Sequence, residues 1–396
     1  MAFVASVAMG LGMTACGGGT VGYMWVLGTQ FNQISGFKID NYTGNLTPTV
    51  GSPYPAGGTN PVSLVVRPGG RYVYVVNQGV AATQTTPATG GNIAEFSVGG
   101  DGILTFQANF FTQGSTPVWA TSDPSGSFLY VLDQVSPDGI NGDITVFQIA
   151  SDTGRLSLVP NQQLKNANGT QLTYFPVGPK PTSMRVAGSS CLFTLDSGNN
   201  TIFPYTLTGG GQLTLTANST ITTQATKLTS INASGNFVYL TDAGATANAS
   251  QILPYTVGTS CSLNTVTGGA VPNLPLTANP VFSFTDTRGK YLYVLNQSST
   301  NSNNPSSSIS FFNILATGQL QANGDSNNPY PVGSGPICMV EDPTSQYVYT
   351  SNNIDGTVTG KLINQNTGQL SGLTRGSSFP ATGKATCLAI SGNTSN

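Results

Sequence analysis

"RYVYVVNQG", residues 71–79, decides how this chain is read. Taken alone, the run is β-branched and aromatic and ends in a turn, the composition of a buried strand. It does not stand alone. "FLYVLDQV" appears at 128–135, "YLYVLNQS" at 291–298 and "YVYTSNNI" at 347–354. Weaker copies, "YMWVLG", "CLFTLD" and "FVYLTD", begin at Tyr23, Cys191 and Phe237. With Tyr72, Phe128, Tyr291 and Tyr347 starting the others, the phrase occurs seven times.

A second pattern follows each copy: a β-branched residue, then an aromatic, then an aliphatic at alternate positions. It reads "ISGFKI" at 34–39, "IAEFSV" at 93–98, "ITVFQI" at 144–149, "IFPYTL" at 202–207, "ILPYTV" at 252–257 and "ISFFNI" at 309–314. "VTGKLI" at 358–363 is the faint seventh. Hairpin signals come next, clearest as "TGNL" at 43–46, "TGRL" at 153–156 and "TGQL" at 317–320 and 367–370. Glycine there supplies the positive φ of a short β turn. A proline-led strand precedes most copies, as "PVSLVV" at 61–66, "PVWATS" at 117–122, "PTSMRV" at 181–186, "PVFSFT" at 280–285 and "PICMVE" at 336–341. The equivalents at 226–231 and 384–390 lack the proline.

Each repeat thus encodes four strands, A to D. A sheet of that size cannot bury both faces alone, so repeats must stack on one another. The predicted fold is all-β, a seven-bladed propeller of four-stranded blades closed into a ring, which leaves no long sheet edge exposed. The chain enters on a strand B and leaves on a strand A. The last strand should therefore complete, as its inner strand, the blade that the N-terminus begins.

Composition narrows the function. The 396 residues include 49 Gly and 24 Pro, and only 7% are charged, for a net charge of −2. Such a surface cannot neutralise many phosphates, which argues against nucleic acid as a partner. There is no histidine. Four cysteines, Cys191, Cys261, Cys338 and Cys387, lack metal-ligand spacing, so neither a metal nor another cofactor is called for. They read as small buried apolar side chains. For Cys338 and Cys387, in equivalent strands of neighbouring repeats, a disulfide is the other reading.

The proline-led strand, the "YVYV-x-N" phrase and "I-x-x-F-x-I" followed by "TG-x-L" together resemble the lactonase family of seven-bladed propellers. That family includes 6-phosphogluconolactonase-like and YVTN-repeat proteins. The resemblance covers nearly all of the chain after residue 21, but its motifs specify blades and not a reaction. The first sixteen residues, "MAFVASVAMGLGMTAC", resemble a bacterial lipoprotein signal. Met13, Thr14 and Ala15 form the lipobox, and Cys16 is the residue to be lipidated. The basic residues usual at the start of such a signal are missing. The expected organisation is a signal over 1–16, a glycine-rich tether over 17–21 and one propeller over 22–396. The implied location is the cell envelope, with a lipid anchor as the only membrane contact.

Long insertions at 78–91, 160–180 and 298–308 follow strand B or precede strand A, so they decorate one face, here called the top. The charges of the opposite A–B turns, Arg67, Arg71, Asp123, Asp286, Arg288 and Lys290, read as solvated. Six repeats end strand B on the top with Asn or Asp: Asn77, Asp133, Asp196, Asp242, Asn296 and Asn352. Such side chains either cap the turn that follows or form a ligand-binding ring. The three Asp fall in consecutive repeats, with Lys180 and Lys227 at neighbouring strand-A starts and Tyr174 and Phe175 on the long loop. That sector is the candidate site. The principal expectation is a top face that binds a glycan, peptide or other protein, or a small molecule. The alternative is hydrolysis of a sugar lactone, with Asp133, Asp196 or Asp242 as general base and Lys180 or Lys227 stabilising the oxyanion.

Overall fold

The computed structural model describes residues 19–80, 90–215, 220–246, 249–275, 277–297 and 307–392. They form seven antiparallel sheets set around an axis. Inner strands A are Pro61–Val66, Ser115–Ser122, Pro181–Ala187, Leu228–Ser234, Asn279–Thr285, Pro336–Glu341 and Ala385–Gly392. Each contacts the next, all the way round. Ala385–Gly392 pairs with the first strand, Thr20–Gly28, so the last strand completes blade 1 as the repeat phase requires.

The "YVYVV" phrase explains how blades stack. Side chains alternate across a strand. Tyr72, Tyr74 and Val76 pack with Leu129 and Val131 of blade 3, while Val73 and Val75 pack with Trp25 and Phe37 of blade 1. Both faces are buried, which is why the strand is apolar throughout. The tyrosines also hold the next blade by its C–D hairpin. Tyr72 donates its hydroxyl to the Asp152 carbonyl at 2.5 Å, and Tyr74 donates to the Gly154 carbonyl at 2.6 Å. Gly154 has φ +74°, and a Cβ there would lie 2.5 Å from the Tyr72 ring, so both turn and contact require glycine. Tyr291 and Tyr293 hold Asn366 and Gly368 in the same way, and Tyr347 and Tyr349 hold Asn41 and Gly44 across the ring closure.

One junction is built differently. In blade 4 the aromatic position is Cys191, and the hairpin glycine of blade 5 is Cys261, at φ +58°. The two form a disulfide. A second disulfide, Cys338–Cys387, ties the inner strand of blade 7 to the closing strand of blade 1. All four cysteines are buried, as expected, and paired: Cys338–Cys387 forms the disulfide given as its other reading, and Cys191–Cys261 corrects the reading of those two as free thiols.

Strand D departs from expectation as well. Only blade 2 has it whole, as Leu104–Phe110. In the other six blades it splits into two short pieces that pair with opposite ends of strand C, such as Leu156–Leu158 and Phe175–Pro176. The second piece ends in proline in five blades, at Pro55, Pro176, Pro272, Pro331 and Pro380. Proline donates no ladder hydrogen bond and so terminates the pairing. Among the lower-turn charges Arg71, Arg288 and Lys290 are exposed as expected, while Asp286 and Arg67 depart from the solvated reading. Asp286 is buried, accepts the N–H groups of Lys290 and Tyr291, and pairs with Arg288 at 3.0 Å. Arg67 reaches the Gly126 and Ser151 carbonyls of the next blade.

Ring closure makes the C-terminal strand essential. Deleting residues 385–396 removes buried Ala385, Cys387 and Leu388 and a native disulfide that contributes roughly 2–5 kcal/mol. Against a domain stability of roughly 5–15 kcal/mol, the truncated chain should lose its cooperative thermal transition. A truncated chain that melts like the full one would refute this closure.

Candidate functional site

Near its top, each inner strand carries a β-bulge. Pro61 pairs with Asn77 and Ser63 with Val76, so Val62 is the extra residue. The same irregularity recurs at Val118, Thr182, Thr229, Val281 and Ile337. Bulges re-aim side chains, and these six all line one cavity on the propeller axis, with a volume of about 200 Å³. Ser183, Ser230, Trp119, Phe282, Cys338 and Arg185 complete most of its wall.

Arg185 is the one charged group in that wall. Its guanidinium carbon lies 4.3 Å from the centre of the Trp119 ring and 5.5 Å from that of Phe282. One Nη1–H bonds the Met184 carbonyl at 2.9 Å. Ion pairs among the described residues join Lys38 to Asp101 and Arg288 to Asp286; none involves Arg185. Burial pulls its pKa down to about 10, which leaves it cationic at neutral pH.

The strand-B ring is built otherwise. Asn77, Asp133, Asp196, Asp242, Asn296 and Asn352 are all buried, and none lines the axial cavity. A glycine three residues ahead of the strand-A proline covers several of them. A Cβ on Gly58 would lie 2.7 Å from that of Asn77, and one on Gly178 would lie 2.4 Å from Asp196 Oδ2. A Cβ on Gly333 would meet the Asn352 amide at 2.5 Å, and one on Gly114 would meet Asp143 at 2.0 Å. Asn77 donates to the Ala56 carbonyl, and Asn296 to the Leu274 carbonyl and Ser310 hydroxyl. Asn352 donates to the hydroxyls of Thr357 and Thr359.

The three Asp differ in environment. Burial raises the Asp242 carboxyl, but hydrogen bonds from Gln251 and the N–H groups of Gly244, Thr226 and Lys227 outweigh it and hold the pKa below the ordinary range. Asp196 accepts the Gly198 N–H through Oδ1, and its Oδ2 has no partner among the described residues. Asp133 sits across the strand from Asp143, which the repeat pattern does not mark because it opens strand C. Burial raises both carboxyls, and the Asp133 charge raises Asp143 further. Thr112 donates to Asp133 at 2.8 Å.

The predicted cations and aromatics are placed apart. Lys180 and Lys227 are exposed and form no ion pair; Lys227 reaches Asp242 through its backbone N–H. Tyr174 and Phe175 are buried at the inner end of the 160–180 loop, where Phe175 packs with Ile144 and Tyr205. The loop itself is fastened to strand D of blade 4 by Gln212 and Thr214. It braces blades 3 and 4 instead of overhanging the axis. Most of the 78–91 and 298–308 insertions, and Cys16, lie outside the described residues.

The architecture defines a closed seven-bladed propeller with a small axial pocket. Residues 79–187, just over a quarter of the chain, match the family described as "Lactonase, 7-bladed beta-propeller"; the match runs from the outer strands of blade 2 through blade 3 to the first strand of blade 4. No curated protein matches the chain. Among solved structures, a putative 6-phosphogluconolactonase from Bacteroides fragilis aligns with TM-score 0.70 at 18% identity, covering 94% of this chain and 98% of that one. The periplasmic gluconolactonase of Pseudomonas aeruginosa aligns with TM-score 0.69 at 17% identity, covering 94% and 99%. At such identities the likeness is one of fold.

The Asp133–Asp143 pair should make stability depend on pH. A carboxyl raised in the folded state favours folding below its unfolded pKa, near 4, and loses that contribution as pH rises through its folded value. Asn at 143 mimics the protonated acid. Asp143→Asn should therefore melt with the wild type at pH 4 and above it at pH 8, by about 1–3 kcal/mol. Thermal melts across pH 4–9 would measure the gap, and a gap that does not widen with pH would contradict the buried pair.

Proposed function

We propose that the chain is an exported hydrolase that opens a sugar lactone where blade 4 meets the axial cavity. The carrying observation is that cavity: about 200 Å³ on the axis, with one guanidinium among the hydroxyls of Thr182, Ser183, Thr229 and Ser230. The lactonase match supports the reaction class, and so do two structures that share the fold, one a putative 6-phosphogluconolactonase and the other a periplasmic gluconolactonase.

Hydrolysis requires a base that takes a proton from water, so that hydroxide attacks the ring carbonyl. A donor must then stabilise the oxyanion until the ring C–O bond breaks and its oxygen is protonated. Asp196 is the proposed base. It pairs with Pro181, one strand behind Thr182 and Ser183 of the cavity wall, and its Oδ2 has no hydrogen-bond partner among the described residues. Substrate access requires the Gly178 cover to shift. Lys180, which flanks Gly198 together with Asp196, is the proposed donor. Asp133 and Asp242 are weaker choices, since the first titrates with Asp143 and the second is held by several donors.

Opening a lactone at neutral pH releases a proton, so turnover of gluconolactone is readable by acidification above the uncatalysed rate. Asp196→Asn should lower kcat by roughly 10²-fold or more, the scale of general-base catalysis, at an unchanged melting temperature. Wild-type protein that turns over no sugar lactone would overturn the hydrolase reading.

A partner-binding top face is the second reading, and one observation favours it. Phe31, Phe111, Ile140 and Ile354 stand 59–74% exposed on top-face loops of blades 1, 2, 3 and 7, respectively. Exposed apolar side chains so grouped suit a glycan, peptide or protein partner. Export is supported by the two disulfides, which persist in oxidising compartments. Cys16→Ser should move the protein from the membrane to the soluble fraction of its native envelope. Equal membrane partitioning of both forms would refute the lipid anchor.

A further inference from the structure

The guanidinium of Arg185 presents a physical problem. Arg185 is half-buried in the wall of the ring, and a partly desolvated charge without an anionic partner is costly. Arginine cannot be neutralised near pH 7. Its neighbours at the same level of the inner strands are Val65, Thr121, Asn232, Phe284, Val340 and Ala389, none of them acidic. The aromatic rings offset part of the cost, since a cation over an aromatic face is attracted by the ring quadrupole. They also restrict approach. With Trp119 and Phe282 against the group, a ligand would have to reach its remaining N–H donors edge-on. One Nη1–H is already bonded to Met184, which fixes the plane of the fork.

We infer that Arg185 is a carboxylate-binding group, and that the axial cavity holds a small hydroxy acid with its carboxylate on this guanidinium and its hydroxyls toward Thr182, Ser183 and Thr229. A planar fork matches a carboxylate bidentately. The Ser183 hydroxyl is buried without a partner among the described residues, so a polar group of the cavity wall awaits a donor or acceptor. A single cation suits a single negative charge; a phosphate dianion would call for more than one. The volume excludes a polymer. The choice of a hydroxy acid rests on the lactone reading, because that is the class of compound lactone opening releases. The anion site itself does not.

Trp119 supplies the reporter, as its ring touches the guanidinium, while Trp25 is buried in blade 1 and gives a constant background. Titration with gluconate should change the tryptophan fluorescence saturably, and sorbitol, the uncharged counterpart, should not. Arg185→Met should weaken gluconate binding by roughly tenfold or more, as expected for loss of a charge-assisted pair. Arg185→Lys keeps the charge but loses the fork and should fall in between. Both variants should keep the wild-type melting temperature or exceed it, and the Lys variant carries the test if the Met variant fails to fold. Equal binding of gluconate and sorbitol, or equal gluconate binding by wild type and the variants, would overturn the inference. Absence of gluconate binding would do the same. Tighter binding of 6-phosphogluconate, with inorganic phosphate competing, would replace the carboxylate by a phosphate. Lactone turnover measured alongside separates the two proposals. Gluconate bound without turnover removes the hydrolase and keeps the anion site, while turnover without Arg185-dependent gluconate binding does the reverse.

Discussion

Everything in this molecule hangs on a tyrosine hydroxyl reaching a glycine carbonyl in the next blade. A four-stranded sheet has two apolar faces and no means of covering them by itself. The Tyr-x-Tyr phrase both covers one face and fixes the register of the neighbour, because each hydroxyl must find a buried carbonyl to offset its own desolvation. Tyr74 on Gly154, Tyr293 on Gly368 and Tyr349 on Gly44 repeat the same bond at 2.5–2.7 Å. In blade 1, Trp25 does it with its indole N–H on Gly102, at 3.1 Å. The Tyr349–Gly44 junction joins residues 305 positions apart, so a local phrase becomes the closure of a ring.

That is why the architecture was legible and the chemistry was not. Seven copies of a phrase imply seven blades, and the phase of the copies dictates where the ends meet. The exceptions were legible too, had they been compared position by position. Cys191 stands where other copies have Tyr or Phe, and Cys261 stands where the next copy has Gly. An aromatic-on-glycine contact has been replaced by a covalent bond at the same place. The aromatic-proline pairs at Tyr54–Pro55 and Tyr330–Pro331 likewise announce the split of strand D.

The site was harder, for a physical reason. Repeat reasoning favours positions that recur, and the Asn and Asp recur in six blades because the strand-B end is bonded there, in four of them under a covering glycine. Function in a repeat protein sits where one copy differs from the rest. Asp143 and Arg185 are such departures: an acid opening a strand C, and a cation inside a strand A whose equivalents are mostly apolar. "PTSMRV" carries the signal as a charged residue in an otherwise uncharged strand. Nothing in its spacing says that bulges aim the strand at an axial cavity.

The low charge of the chain then acquires a meaning. With 13 cationic and 15 anionic side chains spread over 396 residues, little long-range field screens or competes with a charge on the axis. Most other cations sit on loops and turns in contact with water, where a charge is worth little. Arg185 instead lies in a low-dielectric channel against two aromatic rings, where its interaction with an anion is strongest. The rigid inner strands hold it there without a competing carboxylate. A chain nearly stripped of charge has left one guanidinium at the centre of its ring, and the walls around it are hydroxyls and apolar side chains. On the proposal made above, such a site would distinguish a small anion from its neutral counterpart by one group alone.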